Sequence, residues 1–166
     1  GGGTNAAGDP WGSHADAVNM ALCTRWWPAS PVRRVLKTDL FDEIAGPGLL
    51  PAFGRRTATA VGIDRPVEAG RLAPRRGVPC AVTADARALP FAAGTFDLVV
   101  SNSTLDHFSR AADIAAALRE IRQVLAPEGR LILTLDNPSN PIVRLRNALP
   151  FALLNQMRLV PYFVGE

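Results

Sequence analysis

Lysine is almost missing from this chain of 166 residues, and cysteine is scarce. Of its eighteen basic residues only Lys37 is a lysine, and fifteen acidic residues leave a formal net charge of +3. So small and scattered an excess is not the footprint of a nucleic-acid-binding surface. Cys23 and Cys80 lie far apart, with no His or Cys at metal-ligand spacing, so we expect two buried free thiols and no metal site.

Long apolar runs are also missing. No stretch approaches the ~18–20 residues that cross a bilayer, and no basic start followed by an apolar segment marks a secretory signal. The expectation is therefore a cytoplasmic protein without a membrane span. The chain is 48% hydrophobic, and its length lies within the roughly 100–200 residues of one domain, which is enough for one sizeable core.

The order of apolar runs and turn residues predicts a flexible linker over residues 1–10 and a single domain over 11–166. That domain divides into a lead-in helix over 13–27, a core over 33–136 and a partial C-terminal segment over 137–166. Strands are predicted within the core at 33–41, 58–64, 79–84, 95–103 and 129–136.

Helical segments are predicted between these strands. A Gly-rich turn opens a short helix before residue 54, and another helical stretch covers 66–72. Ser109 is placed to cap a helix with Ile114, Leu118, Ile121 and Leu125 on one face, ending near Pro127 and Gly129, and a last helix begins at Asn140 and Pro141. This alternation favours an α/β fold, a Rossmann-like doubly wound, mostly parallel sheet with helices on both faces.

Acidic residues stand where two of these strands end, and ligands of such sheets bind beyond the carboxyl ends of the strands. Asp64 ends the second strand in V-G-I-D-R-P, next to Arg65, where a carboxylate accepts hydrogen bonds from the two hydroxyls of a ribose. Asp85 follows the third strand, where its carboxylate could accept from an adenine amine while the Ala86 amide faces the ring. A helix cap at Asp64 and a turn at Asp85 are the structural alternatives.

The segment from Asp85 to Thr134 resembles a known family. The runs L-P-F, T-F-D-L-V-V-S-N-S-T-L-D-H-F and A-L-R-E-I-R-Q-V-L-A-P-E-G-R-L-I-L-T are similar to class I S-adenosylmethionine-dependent methyltransferases, and more narrowly to the small-molecule group called type 11. The resemblance implies S-adenosyl-L-methionine as cofactor, with Asp64 at its ribose and Asp85 at its adenine. Ser101 and Asn102 would lie beside its methionine part or the acceptor.

The loop after the first strand departs from the family, which has an acidic residue and a G-x-G-x-G loop there. Here the chain reads V-L-K-T-D-L-F-D-E-I-A-G-P-G, with Lys37 and Asp39 at the expected positions. One interpretation gives the carboxylate for the cofactor's amino group to Asp39, Asp42 or Glu43, and the close backbone approach to Gly46 and Gly48. Another pairs Lys37 with Asp39 on one face of the strand, and a third holds that the loop has lost the cofactor.

The predicted cofactor-binding residues are therefore Lys37, Asp39, Gly46, Gly48, Asp64, Arg65, Asp85, Ala86, Ser101 and Asn102. His107 is the candidate general base, because a neutral imidazole suits deprotonation of a hydroxyl, although a structural role is the alternative.

The predicted function is methyl transfer to a small-molecule acceptor by in-line displacement, which demands alignment of the two substrates more than a chemically active side chain. A catalytically degenerate domain of the same fold is the first alternative. An NAD-dependent dehydrogenase is the second alternative. Such an enzyme would be expected to have a G-x-G-x-x-G sequence after its first strand, and this chain has none there. The resemblance also implies truncation after the fifth strand, which would leave an uncovered edge and favour association.

Overall fold

The computed structural model of the protein describes residues 10–40, 42–43, 48–65 and 80–135, and five single positions beyond them. Its helices are α1 (Pro10–Trp26), α2 (Leu50–Gly54) and α3 (Ala111–Val124), and a 3-10 turn covers Leu105–His107. Its strands are β1 (Arg34–Lys37), β2 (Thr59–Asp64), β3 (Ala81–Thr83), β4 (Phe96–Asn102) and β5 (Leu125–Thr134). None of the described helices is long and apolar enough to cross a membrane.

The five strands form one sheet in the order β3-β2-β1-β4-β5, and every neighbouring pair is parallel. The doubly wound arrangement predicted from the sequence is confirmed. Because the chain returns from the outer strand β3 to the far side of β1, the strand order reverses between β1 and β4. A crevice at that reversal is where sheets of this topology bind ligands.

Strand alternation divides the core between the two faces of the sheet. Val35 and Val100 pack with Cys23 of α1 and Phe53 of α2 on one face. The opposite face packs against α3, with contributions from Leu36, Ile63, Val99, Ala117, Ile121 and Val124. The short apolar strands are buried on both faces, as parallel strands are when helices cover the sheet.

Several boundaries differ from those predicted, among them both ends of the first helix and the end of the first strand. The first helix begins at Pro10, inside the predicted linker and before Ser13, and it ends at Trp26. Proline is suited to a first helical turn because it has no amide hydrogen to leave unpaired there. The first strand ends at Lys37, four residues short of its predicted end, and the chain bends at Thr38.

The predictions for the ends of α3 were also wrong. Ser109 is not its cap; Arg110 precedes the helix in an extended conformation with no side-chain capping bond. Leu125 does not belong to the helical face but starts β5, which runs on through Pro127 and Gly129. The periodicity of apolar residues continued past the helix end because Leu125 is also partly buried, against the core under α3.

Of the two cysteines, Cys23 is buried as predicted, whereas Cys80 is exposed just before β3. The predicted helix over 66–72 and most of the one after Pro141 lie outside the described residues.

Candidate functional site

Polar side chains from four strands meet at the carboxyl edge of the sheet, on the face that α1 and α2 cover. Lys37 lies opposite Gly62 and Val100, so Asp64 and Asn102, each two residues further along β2 and β4, share its face. Thr134 of β5 lies opposite Asn102 and extends the same row. Register therefore brings these four side chains to one face, on both sides of the reversal in strand order.

Lys37 is fully buried and sits among three carboxylates. Its Nζ lies 2.9 Å from Asp39 Oδ1, 3.0 Å from Glu43 Oε2 and 3.5 Å from Asp42 Oδ2. It also donates a hydrogen bond of 3.1 Å to the backbone oxygen of Asp39. Of the three interpretations of this loop, the pairing of Lys37 with Asp39 is therefore observed, although β1 ends at Lys37 and Asp39 lies beyond it. With all four groups ionised, this Lys37 cluster (Lys37, Asp39, Asp42 and Glu43) carries two net negative charges.

Burial and mutual repulsion set the ionisation of the Lys37 cluster. Burial alone would lower the pKa of Lys37, but the carboxylates of Asp39, Glu43 and Asp42 raise it above its ordinary value. Burial raises the pKa of Asp39 to about 6, and the neighbouring lysine only partly offsets that rise. The Lys37 ammonium lies between the three carboxylates. Among the described residues, no group of three or more His, Cys, Asp or Glu side chains could hold a metal ion.

Glu43 also fixes the start of α2. Its Oε1 accepts hydrogen bonds from the backbone amides of Leu49, at 2.9 Å, and Leu50, at 3.0 Å. Gly48 precedes them with a φ of +61°, and its amide donates to Asp16 Oδ2 of α1 at 3.1 Å. Where the family has a glycine-rich cradle, this chain has a side-chain carboxylate holding the helix amides. Gly46 lies outside the described residues.

Asp64 stands half-buried at the end of β2, where the sequence predicts a ribose site. Its Oδ2 accepts a hydrogen bond of 3.3 Å from the amide of Leu40, in the loop after β1. Burial raises its pKa, and the backbone hydrogen bonds partly offset the rise. This bond joins Asp64 to the loop that carries the Lys37 cluster. A carboxylate has about four lone-pair sites, so it retains accepting capacity for a ligand.

Arg87 holds the carboxylate of Asp85, a contact that the sequence analysis missed. Its Nη2 lies 2.7 Å from Asp85 Oδ2, and its Nε donates to Oδ1 at 3.1 Å. Chiefly these hydrogen bonds lower the pKa of Asp85. The guanidinium also binds Asp113 Oδ1 at 3.0 Å and lies over the ring of Phe108. The sequence Asp-Ala-Arg could have indicated this ion pair, because oppositely charged residues two positions apart in a turn can contact each other. The side chain of Arg65 is 64% exposed, with its Nε 3.5 Å from Asp85 Oδ2.

Asn102 and Ser101 end β4 on opposite faces. The Nδ2 of Asn102 donates to Asp42 Oδ2 at 2.8 Å, which joins β4 to the Lys37 cluster. The Oγ of Ser101 accepts from Thr38 Oγ1 at 2.9 Å and is fully buried. The Ser101 side chain therefore lies on the opposite face of the sheet from Lys37 and Asn102.

His107 and Ala86 lie at the margins of this site. His107 is an exposed residue at the end of the 3-10 turn after β4. Ala86 is buried in the turn that follows Asp85.

A family model described as a methyltransferase domain matches residues 45–133. The chain belongs to this family. The family is the type 11 group of class I S-adenosylmethionine-dependent methyltransferases, so the resemblance noted in the sequence is confirmed.

Relatives of this methyltransferase domain include the demethylmenaquinone methyltransferase of Corynebacterium kroppenstedtii, which is 34% identical over 142 residues, 81% of this chain and 59% of the relative. The Pyrococcus horikoshii protein PH0226 matches 89% of this chain and 68% of its own with a TM-score of 0.67 at 22% identity. CalS10 of Micromonospora echinaspora, an amino pentose methyltransferase solved with bound S-adenosylmethionine, matches 78% and 52% with a TM-score of 0.60 at 22% identity. Both structures show the fold.

The methyltransferase domain spans only part of the curated proteins it matches, from 27% to 59% of their lengths. Its family cofactor carries a sulfonium, an ammonium and a carboxylate, and hence one net positive charge. The Lys37 cluster, with two net negative charges beside Asp64, complements that charge. The residues present therefore fit the cofactor of the family, although the sequence after β1 lacks the family's G-x-G-x-G pattern.

Proposed function

We propose that this methyltransferase domain binds S-adenosyl-L-methionine across the carboxyl ends of β1, β2 and β4 and transfers its methyl group to a small-molecule acceptor. The observation that carries the proposal is the Lys37 cluster, a buried concentration of negative charge joined to Asp64 through the Leu40 amide. When bound, the cofactor supplies an electrophilic methyl group on its sulfonium. The task left to the protein is to align the two substrates and exclude water.

Each carboxylate of the site has a different role in this proposal. Asp64 accepts from the ribose hydroxyls, since the Leu40 amide uses only part of its accepting capacity. Asp39 and Asp42 are each partly exposed and attract the cofactor's ammonium and sulfonium. Glu43 is 1% exposed and acts indirectly, by holding α2 and the loop around Gly48 in place.

Lys37 also acts indirectly. A lysine has three N–H donors, and Asp39 Oδ1, the Asp39 backbone oxygen and Glu43 Oε2 take all three. No donor is left for a ligand. Its role is to hold three like charges together in one loop, which a neutral side chain would not do.

Asp85 and the Ala86 amide form the adenine end of this proposal, with Arg65 at its rim. Arg87 has to release part of the Asp85 carboxylate before an adenine amine binds there. Arg87 keeps a second partner in Asp113, so its charge stays paired when it gives up Asp85. Gly46 remains a prediction for the backbone approach to the cofactor.

His107 is the proposed general base for an acceptor that must lose a proton. It is exposed on the 3-10 turn that follows Asn102, near the end of β4. His107→Gln keeps a similar size and removes the basic nitrogen. It should lower kcat and leave the affinity for S-adenosylhomocysteine unchanged; an unchanged kcat would assign His107 a structural role.

The test of cofactor binding is calorimetric titration of S-adenosylmethionine, S-adenosylhomocysteine and NAD into the full chain. We expect both sulfur ligands to bind and NAD not to bind. Asp64→Asn should weaken binding about tenfold or more, since a hydrogen bond to a charged group contributes about 1.5–3 kcal/mol.

Asp97→Asn is the matched control. Asp97 is also a strand aspartate, but it accepts from the amides of Arg33 and Arg34 at the opposite edge of the sheet. Its variant should bind like the wild type. A folded protein that binds none of the three ligands would contradict the proposal and favour a catalytically degenerate domain. Binding of NAD alone would favour a dehydrogenase.

A further inference from the structure

A groove lies between α1 and α2, and no step of the methyl transfer proposed above uses it. The residues that line this α1–α2 groove are Met20, Gly48, Pro51, Ala52, Arg55 and Arg56. Its volume is about 440 Å³, within the roughly 300–1,000 Å³ of small-molecule sites. Each of the six residues has exposed surface, so a ligand can reach the groove from solvent.

The α1–α2 groove follows α2 away from the Lys37 cluster. The helix begins beside that cluster, because Glu43 accepts hydrogen bonds from the backbone amides at its start. Arg55 and Arg56 come directly after its last residue, shortly before β2 starts at Thr59 on the amino edge of the sheet. The two arginines therefore lie at the end of the groove that is farther from the cofactor crevice.

The two ends of the groove differ in charge. At the near end the amide of Gly48 donates to Asp16 Oδ2 at 3.1 Å, so a carboxylate already occupies that donor. At the far end Arg55 and Arg56 are exposed, and neither forms an ion pair within the described part of the chain. An anionic group is therefore attracted to the arginine end and not to the Gly48 end.

The Arg56 guanidinium is held in place although it has no acidic partner among the described residues. Its central carbon lies 4.9 Å from the centre of the Trp27 ring, and that ring packs against Phe53 at 5.5 Å. A guanidinium stacked on an aromatic ring keeps its N–H groups at its edge, where they can bind a phosphate or carboxylate with two hydrogen bonds. The stacking therefore prepares a donor for an anion before any ligand arrives.

We propose that the α1–α2 groove binds a small amphipathic anion, a phosphate or carboxylate on an apolar body. Arg55 and Arg56 bind the anionic group, and Met20, Pro51 and Ala52 supply apolar surface for the body. We favour a discrete ligand over a bilayer surface because the apolar surface here is concave. The inference goes beyond methyl transfer and does not depend on it.

The first measurement titrates the full chain with hexyl phosphate, hexan-1-ol and inorganic phosphate, and binding is followed by calorimetry and tryptophan fluorescence. Hexyl phosphate should bind at least about tenfold more tightly than either fragment, because it alone contacts both the arginines and the apolar surface. Trp27→Phe keeps an aromatic ring under Arg56 and removes the indole. This variant should keep the calorimetric affinity and lose most of the fluorescence response.

The second measurement removes the cations one at a time. Arg55→Gln and Arg56→Gln should each weaken the binding of hexyl phosphate about three- to tenfold, as expected for the loss of a hydrogen bond to a charged group. Neither variant should change the affinity for hexan-1-ol. Arg119→Gln is the matched control, because Arg119 is an exposed cation on α3, which packs against the opposite face of the sheet.

The outcomes separate this inference from the proposed function. Equal binding of hexyl phosphate and inorganic phosphate, or an unchanged affinity in both arginine variants, would overturn the site. Competition with S-adenosylhomocysteine would make the groove part of the cofactor crevice and would also overturn it. So would binding to phosphatidylglycerol vesicles without binding of hexyl phosphate. Failure of S-adenosylhomocysteine to bind contradicts the proposed function alone, and selective binding of hexyl phosphate would then still support the groove.

Discussion

Replacing Lys37 by methionine should unbalance the most concentrated group of charges in the described structure. The lysine Nζ lies 2.9 Å from Asp39 Oδ1 and 3.0 Å from Glu43 Oε2. Two unit charges about 3 Å apart interact by about 5.5 kcal/mol at an effective dielectric constant of about 20. Desolvation of the ions consumes much of that attraction, and removing one partner of a buried pair costs about 3–5 kcal/mol.

We therefore expect Lys37→Met to lower the free energy of unfolding by about 3–5 kcal/mol, a large share of the about 5–15 kcal/mol that keeps a domain folded. Urea denaturation followed by circular dichroism measures the change. Arg119→Met is the control, because Arg119 is an exposed cation on α3. Its effect should stay within about 0.5 kcal/mol, as is usual at surface sites.

The pH dependence provides a sharper test. Burial already raises the pKa of Asp39 to about 6, and Lys37→Met removes the charge that opposes this rise, so the pKa rises further. A carboxyl group whose pKa is higher in the folded than in the unfolded state destabilises the protein above both values. That penalty fades as the pH falls through the folded-state pKa. The difference between variant and wild type should therefore shrink between about pH 8 and about pH 5.

The stabilisation that the wild type gains from the raised pKa of Lys37 is fully present below the ordinary lysine value near 10.5 and does not vary in that range. A loss below about 1 kcal/mol, typical of an exposed ion pair, and equal at both pH values, would refute the reasoning.

Three further substitutions test separate parts of the site. Gly48→Ala should cost more stability than Gly94→Ala in urea denaturation, because both positions have positive φ but only a Cβ at Gly48 meets Glu43, at 2.7 Å; equal losses would contradict this. Gly62→Ala should lower the free energy of unfolding by about 1–3 kcal/mol, because the core has no room for the added methyl group. The new Cβ collides with the side chains of Leu40 and Leu50. An unchanged free energy of unfolding would show that the loop after β1, which carries Leu40, moves to make room. Arg87→Ala should tighten binding of S-adenosylmethionine in calorimetry by freeing the Asp85 carboxylate, and weakened binding would instead make Arg87 a positioning residue.

The buried strands were the most predictable part of the fold. The segments A-T-A-V-G-I-D and T-F-D-L-V-V-S-N-S correspond to β2 and β4 within two residues at each end. A short, nearly continuous run of β-branched and apolar residues in an alternating α/β chain predicts a strand that is buried on both faces. The ends of α3 were less predictable because Ser109 resembles a capping residue by type alone. The backbone of Arg110 decides where the helix starts.

The candidate site was predictable where the residues in contact are close along the chain. Lys37 ends β1 and Asp39 lies two residues further on, in the following loop, so their pairing follows from the sequence. The contact of Asp16 with Gly48 does not, because it joins residues 32 apart through the packing of α1. The link between Asn102 and Asp42 likewise depends on how the loop after β1 folds back over β4. Such contacts are set by tertiary packing, which local patterns do not contain.

The burial of Lys37 also makes amine chemistry a reporter of folding. It is the only lysine in this chain, and its side chain is fully buried. An amine-directed acylating reagent can therefore reach an internal position only when the loop after β1 opens. Acylation at Lys37, read by mass spectrometry, measures the opening of that loop at a single atom. A lysine-specific protease likewise cleaves the chain at one internal bond, and it does so only in molecules in which Lys37 has become exposed by unfolding of the site.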